Sequence, residues 1–472
     1  MDYKEALERV SLYIHKRERV KPLDNYNKRK VGLPDILDIW EIETEILDKL
    51  DIVKNIRFHL VFLPDFPLSF PKIFLAEKDF NDIKYIPHLQ VDKLICVFQN
   101  NSEPNVLRPE EVVEEALKRA KTVIEDGLNK KNEKDYNDEF EAYWNSNYSK
   151  KDIVNKSFLL LNEEPLKESF TLLLLEKTVN QFHYIIHQNE GIAINFKSFL
   201  KDQRIRYNET TGYVIKELDF FEKPPYDKTN KEVFDVIKEL NSAYYQEYIS
   251  LINDKDSPKL FLFSKEINSE IRYFGWFHSK AKLNINGFRA GSLNNYKALS
   301  TFQSNERINR ITPEVYTNRR LIKRSAGNIN VNKFKKFVLA GVGSISSNLI
   351  HYLNSSLNPE FKLIDTDSLE LENIARHYLG FKYLNWKKTI ALKDFLTQFS
   401  PIQKVETREK SIIQIVQEEP EFINESDFLF IAIGESNVES WIADAVDKGL
   451  IMKPIFFCLG RALFIGRTLY FY

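Results

Sequence analysis

The chain has little cysteine: two residues in 472, Cys96 and Cys458, far apart and without CxxC spacing. That excludes a disulfide scaffold and a cysteine-built zinc site, and it fits a reducing cytoplasm. Net charge is also nearly absent, with 67 Lys and Arg against 68 Asp and Glu. No electrostatic argument therefore points to nucleic acid or to a membrane surface. No apolar h-region opens the chain, and no apolar run reaches the roughly 20 residues of a membrane span. The longest, such as Phe170 to Leu175, are of core size. What is present is the composition of an ordinary globular protein, 43% hydrophobic and 29% charged. A chain of this length predicts about three domains.

The most informative stretch runs from Lys335 to Arg376. A buried-strand run, Phe337 to Ala340, enters Gly341, Val342, Gly343, Ser344, Ile345, Ser346. An apolar-periodic helix follows (Ile345, Leu349, Ile350, Leu353), then a second strand, Phe361 to Ile364, ending in Asp365, Thr366, Asp367. Strand, glycine turn, helix, strand and a terminal acid make a nucleotide-binding βαβ unit. Two glycines let backbone approach phosphate, the helix N-terminus offers free N–H groups, and the acid can take a ribose hydroxyl. The third fingerprint position is Ser346 rather than glycine, so the turn alone also fits a tight strand-to-helix connection without a ligand. Behind it stand Glu370, Glu372, Asn373, Arg376 and His377, then Lys387 and Lys388 opening a helix. A dehydrogenase has no use for that array. An enzyme cleaving ATP at the α-phosphate needs cations to hold phosphates and balance charge on pentavalent phosphorus.

At Gly341 and Gly343, Leu363 to Asp367, Asn373, Arg376 and Lys388 the segment resembles the ubiquitin-activating superfamily, the adenylating fold shared with ThiF and MoeB enzymes. The resemblance implies ATP and Mg as cofactors, with Gly341, Gly343 and Asp367 on the nucleotide, Asp365 on its ribose, and Asn373, Arg376 and Lys388 on its phosphates. It also implies an arginine supplied in trans within a homodimer; Arg319 and Arg320 both stand where it is expected, and Arg320 is the one taken into the candidate site. The family's magnesium-binding aspartate is replaced here by Gly434, Glu435, Ser436 after the Asp427 to Ile433 strand, leaving the metal ligand unassigned. The chain stops at Tyr472, before the position of the family's relay cysteine, so either that thiol is absent or the sequence is a fragment.

The N-terminal region reads as a helix over 1–20, strand-like runs Ile36 to Leu47, Ile56 to Leu63 and Lys72 to Ala76, a proline corner at 64–72, a His88 loop, Leu94 to Phe98, and a helix from Pro109 to about Leu128. This order, with Phe66 to Pro71, His88 and Cys96 in LeuIleCysVal, is similar to a ubiquitin-conjugating enzyme. By that resemblance Cys96 carries an activated protein as a thioester. Gln90 stands in place of the family's asparagine, so oxyanion support would come from Gln90, backbone N–H groups, or Asn100 and Asn101. A buried structural thiol is the competing reading of Cys96. Cys458, in an apolar strand, reads as core.

The expected fold is therefore multidomain: an α+β ubiquitin-conjugating-like domain over 1–130, an α+β linker domain over 131–315 and an α/β Rossmann-like ThiF-type adenylation domain over 316–472. In the linker, Ser157 to Leu161, Ser169 to Leu175 and Leu260 to Phe263 read as strands and Lys231 to Leu251 as a helix. His183 and His187 have the spacing of metal ligands on a helix, but the β-branched pair between them favours a strand. The domain order resembles bacterial fusions of CBASS anti-phage operons. That implies conjugating a cGAS-like nucleotidyltransferase to a target amine in the cytoplasm, with no nucleic-acid or membrane partner. A catalytically decayed binding scaffold and a nicotinamide-dependent oxidoreductase remain the alternatives.

Overall fold

The computed structural model describes residues 2–16, 18–23, 38–47, 53–83, 86–98, 102–145, 158–216, 218, 228–254, 259–267, 270–278, 281–283, 293–326, 336–460 and 467–471. Two compact units result, Met1–Lys156 with Tyr213–Thr312, and Ser157–Gly212 with Pro313–Tyr472. Residues 131–315 thus contribute to both.

In the first unit the helix Tyr3–Ile14 is capped by Asp2, whose Oδ1 accepts from the Glu5 N–H at 2.8 Å. It is shorter than the helix expected over 1–20. The residues beyond it, Arg19–Pro22, instead form a strand paired antiparallel with Trp40 to Glu43, so sheet pairing overrides local helical periodicity. A five-stranded antiparallel sheet follows in chain order: Arg19–Pro22, Asp38–Leu47, Val53–Phe62, Lys72–Leu75 and Leu94–Ile95. At the proline corner Phe66 turns inward, edge-on to Phe62 with ring centroids 5.0 Å apart. The helix Pro109–Leu128 has proline at its first turn and buries Val113, Ala116, Ala120 and Ile124 in one core with Ala6 and Val10 of the first helix. That spacing of three and four residues is the stripe a half-buried helix needs.

Beyond this core, Phe140 and Trp144 of the short helix Phe140–Asn145 join a second one, with Phe263, Phe274 and Trp276 of the hairpin Phe261–Ile267 and Glu270–Phe277. The Trp144 indole N–H donates to Ile311 O at 2.8 Å, satisfying its one polar group in the interior. The single helix expected from Lys231 to Leu251 is two, Asn230–Leu240 and Ser242–Asn253. Asn241 is extended, and its side chain accepts from Ala243 and Tyr244 N–H groups. Asparagine forms an N-cap here because its side chain offers the backbone an alternative to continued helix.

The second unit contains strands Phe158–Leu160, Ser169–Val179 and Phe182–His187, and a helix, Glu190–Asp202, that the sequence reading missed. His183 and His187 lie on a strand, the first exposed and the second fully buried, and they form no shared site. The rest is a six-stranded sheet ordered Val405–Arg408, Glu360–Ile364, Lys336–Ala340, Phe428–Ile431, Ile455–Gly460, Arg467–Phe471. All neighbours are parallel except the last pair, an antiparallel strand the sequence reading did not include. Phe337 to Ala340 are all buried, as a central parallel strand covered on both faces requires. The chain leaves this strand toward Glu360–Ile364 on one side and returns by Phe428–Ile431 on the other. The switch point of the sheet therefore lies at Gly341, where such folds bind ligands.

Candidate functional site

Gly341 has a left-handed φ of +79°, and a Cβ there would meet Ala432 O at 2.7 Å. Both facts demand glycine. Gly343 is different: a Cβ on it would have nothing within 4 Å, so that glycine leaves open space over the turn. It is the N-cap of the helix Ser344–Leu357 and, lacking a side chain, leaves the first-turn N–H groups uncapped. The helices Lys388–Phe399 and Ser436–Asp447 also begin without a side-chain cap. Asp2, Asn189, Thr229, Asn241 and Ser411 cap other helices, while Pro109–Leu128, away from this site, also lacks a side-chain cap.

Asp365 closes the turn. Its Oδ2 accepts from the Val342 N–H at 2.8 Å and its Oδ1 from the Asp367 N–H at 2.7 Å. Burial raises its pKa, opposed by these two N–H groups and the Lys388 charge. Each oxygen retains a second lone pair for a ligand hydroxyl. Asp367 is ion-paired with Lys388 Nζ at 2.8 Å, which holds its carboxyl below the usual range. Lys388 is buried, and its backbone N–H also bonds Asp367 O.

The segment 370–377 is tied to the same turn. Asn373 Oδ1 accepts from the Glu370 N–H in a reciprocal cap, and its backbone O accepts from the Arg376 N–H. Asn348 Nδ2 bridges Ser344 O at 2.7 Å and Arg376 O at 3.3 Å. The Arg376 guanidinium is exposed and makes no hydrogen bond or ion pair with the described residues. His377, noted in the sequence but given no role, is buried. Its Nε2 lies 2.9 Å from Val342 O while Nδ1 accepts from the Leu379 N–H. That pairing fixes the neutral Nε2–H tautomer, in keeping with a pKa lowered by burial.

The structure thus brings Gly341, Gly343, Asp365, Asp367, Asn373, Arg376 and Lys388 into one bonded network. Arg319 and Arg320 are exposed on the helix Asn318–Ala326, and the Arg320 side chain donates to Val315 O at 3.0 Å. Neither is bonded into the network. Glu435 is exposed, and its carboxylate caps nothing. Among the described residues no group of three His, Cys, Asp or Glu is arranged to hold a metal. A magnesium ion carried on nucleotide phosphates needs only one or two carboxylates, which Asp367 or Glu435 can provide.

Cys96 follows the strand Leu94–Ile95, and its N–H donates to His88 O at 2.8 Å. Gln90 and Leu94 close a tight hairpin, Gln90 N–H to Leu94 O at 2.9 Å, which turns the Gln90 amide toward the thiol. Gln90 Nε2 donates to Cys96 Sγ at 3.0 Å. Asn100 and Asn101 lie outside the described residues. Burial raises the thiol pKa, the charge of Glu139 adds to this, and the Gln90 bond opposes it. Glu139 was not anticipated. Its Oε1 is 2.6 Å from His88 Nδ1, and its Oε2 accepts from the His88 N–H and the Tyr143 hydroxyl. Asp135 meets His88 Nε2 at 3.0 Å. The Glu139 hydrogen bond is the main cause that raises the His88 pKa to about 9. The sequence signal was the acidic AspGluPheGluAlaTyrTrp run, whose spacing said nothing of its partner. Cys458 is buried in its strand, and burial raises its pKa as for a core thiol.

Residues 44–153 match the model of prokaryotic E2 family B, and residues 319–452 match the ThiF family. The chain is a multidomain α/β protein with an E2-like N-terminal region and a ThiF-type, Rossmann-like adenylation domain. Among solved structures it is similar to the E. coli tRNA N6-threonylcarbamoyladenosine dehydratase TcdA in complex with AMP, at 16% identity and a TM-score of 0.26, over 29% of this chain and 58% of that one. It is also similar to E. coli MccB with ATP, at 20% identity and a TM-score of 0.23, over 30% of this chain and 40% of that one. The chain therefore spans less than two thirds of either. No curated protein matches it significantly. Among the described residues no helix is long and apolar enough to cross a membrane.

Proposed function

We propose that the protein activates the C-terminus of a substrate protein with ATP and passes it through a thioester on Cys96 to a target amine. A carboxylate oxygen attacks the α-phosphorus of ATP, and the bond to pyrophosphate breaks, giving an acyl adenylate. The Cys96 sulfur attacks the acyl carbon after losing its proton, and AMP leaves. An amine then displaces the thiol and forms an amide. Gly341 and Gly343 admit the phosphates, Asp365 holds the ribose, and Asn373, Arg376 and Lys388 meet the phosphate charge. Magnesium, held by the phosphates with Asp367 or Glu435, would neutralise charge on the leaving pyrophosphate. Gln90 serves as the donor beside the reacting sulfur.

The observation that carries this reading is the uncapped helix end under an open Gly343, with Arg376 held by its backbone carbonyl through Asn348 to that same turn and its guanidinium unpaired among the described residues. The conjugated protein is a cGAS-like nucleotidyltransferase of an anti-phage operon in the cytoplasm, a proposal resting on the domain order. The active species is a homodimer in which Arg320, or its neighbour Arg319, reaches the partner's site. The test is ATP–pyrophosphate exchange by the full chain with the substrate protein, followed by trapping a thioester. Exchange that Arg376→Ala abolishes and Cys96→Ala spares, with the thioester lost in both, is the expected result. If the chain binds no Mg-ATP, the adenylating reading fails and a scaffold role replaces it.

A further inference from the structure

The helix Glu190–Asp202 ends in a turn that leads into the strand Tyr207–Val214. The turn has the Schellman bonding pattern: the Ile205 N–H donates to Leu200 O at 2.9 Å and the Arg204 N–H to Lys201 O at 2.9 Å. Its left-handed position is occupied by Arg204, at φ +55°. Glycine or asparagine is the usual residue there, because a Cβ crowds the backbone in that conformation. An arginine at this point carries a steric cost that its packing does not recover, since the side chain is exposed.

Around this turn lies a shallow, open depression of about 670 Å³, lined by Lys197, Ser198, Lys201, Arg204, Ile205, Arg206 and Tyr207. Lys197 is neutralised by Glu190 and Glu209, at 3.3 and 3.1 Å. Lys201, Arg204 and Arg206 are exposed, and their side chains make no ion pair or hydrogen bond with the described residues. Lys201 stands in the last turn of its helix, where the helix end favours a cation, but Arg204 and Arg206 beside it have no such support, and three cations around one depression repel one another. The geometry points to a binding site for a compact polyanion, a small molecule bearing two or more phosphates. Two guanidinium forks match phosphate oxygens, Lys201 supplies a third charge, and the Ser198 hydroxyl a further donor. The cations are confined to one helix end and one turn, not spread in the stripe that an extended nucleic acid tracks. The site is built from residues 197–207 and does not depend on the adenylation reading.

Calorimetric titration of the full chain with inorganic tripolyphosphate tests this, beside Arg204→Gln/Arg206→Gln, Arg376→Ala and Arg204→Gly. The expected result is a tripolyphosphate site that persists in Arg376→Ala and is weakened about tenfold or more in the double glutamine variant. Arg204→Gly should weaken binding while raising the thermal midpoint, since glycine relieves the left-handed turn. Binding lost in Arg376→Ala alone would place the polyphosphate at the glycine turn and overturn the proposal. So would binding that the double variant leaves unchanged, or a lowered midpoint in Arg204→Gly, which would make the arginine structural. If the wild type ignores tripolyphosphate but binds a polyuridylate strand or phosphoinositide-containing vesicles, the ligand class is wrong.

Discussion

Asp365 and His377 hold opposite sides of one residue: Asp365 Oδ2 takes the Val342 N–H at 2.8 Å, and His377 Nε2–H reaches the Val342 carbonyl at 2.9 Å. The glycine turn between Gly341 and Gly343 is thus fixed by side chains from the end of the second strand and from the crossover behind it. His377→Ala leaves a buried carbonyl without its donor, so urea unfolding should show a loss of about 1–3 kcal/mol. Because the folded-state pKa of His377 is lowered, its contribution is present above the ordinary histidine value and is lost as pH falls through the lowered one. The wild type should therefore lose stability below about pH 6.5 more steeply than His377→Gln.

Asp365→Asn keeps an oxygen for one N–H group and loses the charge. Mg-ATP affinity should fall by tenfold or so, while the thermal midpoint moves less than in His377→Ala, because one of the two turn bonds survives. An equal loss of fold in both variants would show that Asp365 is a turn-closing residue only.

The scaffold of this site was legible in the chain. The turn at Gly341 and Gly343 and the strand end at Asp365 could be read because a βαβ unit enforces their spacing, whereas Arg376 and Lys388 entered by resemblance to a family; the sheet register places Leu339 between Leu363 and Phe430. What could not be read were contacts across long sequence separations. Glu139 meets His88 from 51 residues away, and Asn348 meets the Arg376 carbonyl from 28; neither has a local pattern. Helical periodicity also misled where another backbone partner was available. It carried the first helix past Ile14, where strand pairing takes over, and it ran through Asn241, where a cap interrupts.

His88 is gripped by Glu139 and Asp135, and its pKa is raised to about 9. A histidine favoured in its charged form stabilises the fold fully below the ordinary value near 6.5, and that contribution disappears as pH rises through about 9. Thermal midpoints measured from pH 6 upward should drop across this window in the wild type. Glu139→Gln removes the main cause, so its profile should be flatter and should start lower.

The same carboxylate acts on the thiol. Burial and the Glu139 charge both raise the Cys96 pKa, so alkylation by iodoacetamide should be slow at neutral pH and should accelerate with rising pH, following the thiolate fraction. Glu139→Gln should speed it at pH 8. Gln90→Leu should slow it, since the donor at 3.0 Å from Sγ is removed, and should reduce acyl transfer by a factor on the order of 10² if the amide also meets the oxyanion. A Gln90→Leu enzyme with unchanged transfer would assign oxyanion support to backbone N–H groups.

The two glycines of the turn should separate folding from binding. Gly341→Ala forces a Cβ to 2.7 Å from Ala432 O at a φ of +79°. Both the steric clash and the left-handed backbone oppose it, and a stability loss of at least about 1–3 kcal/mol is expected in urea unfolding. Gly343→Ala meets nothing within 4 Å, at an ordinary negative φ of -79°, so the midpoint should hold. Its methyl group would instead occupy the space over the uncapped helix end, and Mg-ATP affinity should fall by about tenfold or more. Retained affinity in a folded Gly343→Ala protein would mean that phosphate does not approach this turn, and the adenylating site would have to be sought elsewhere.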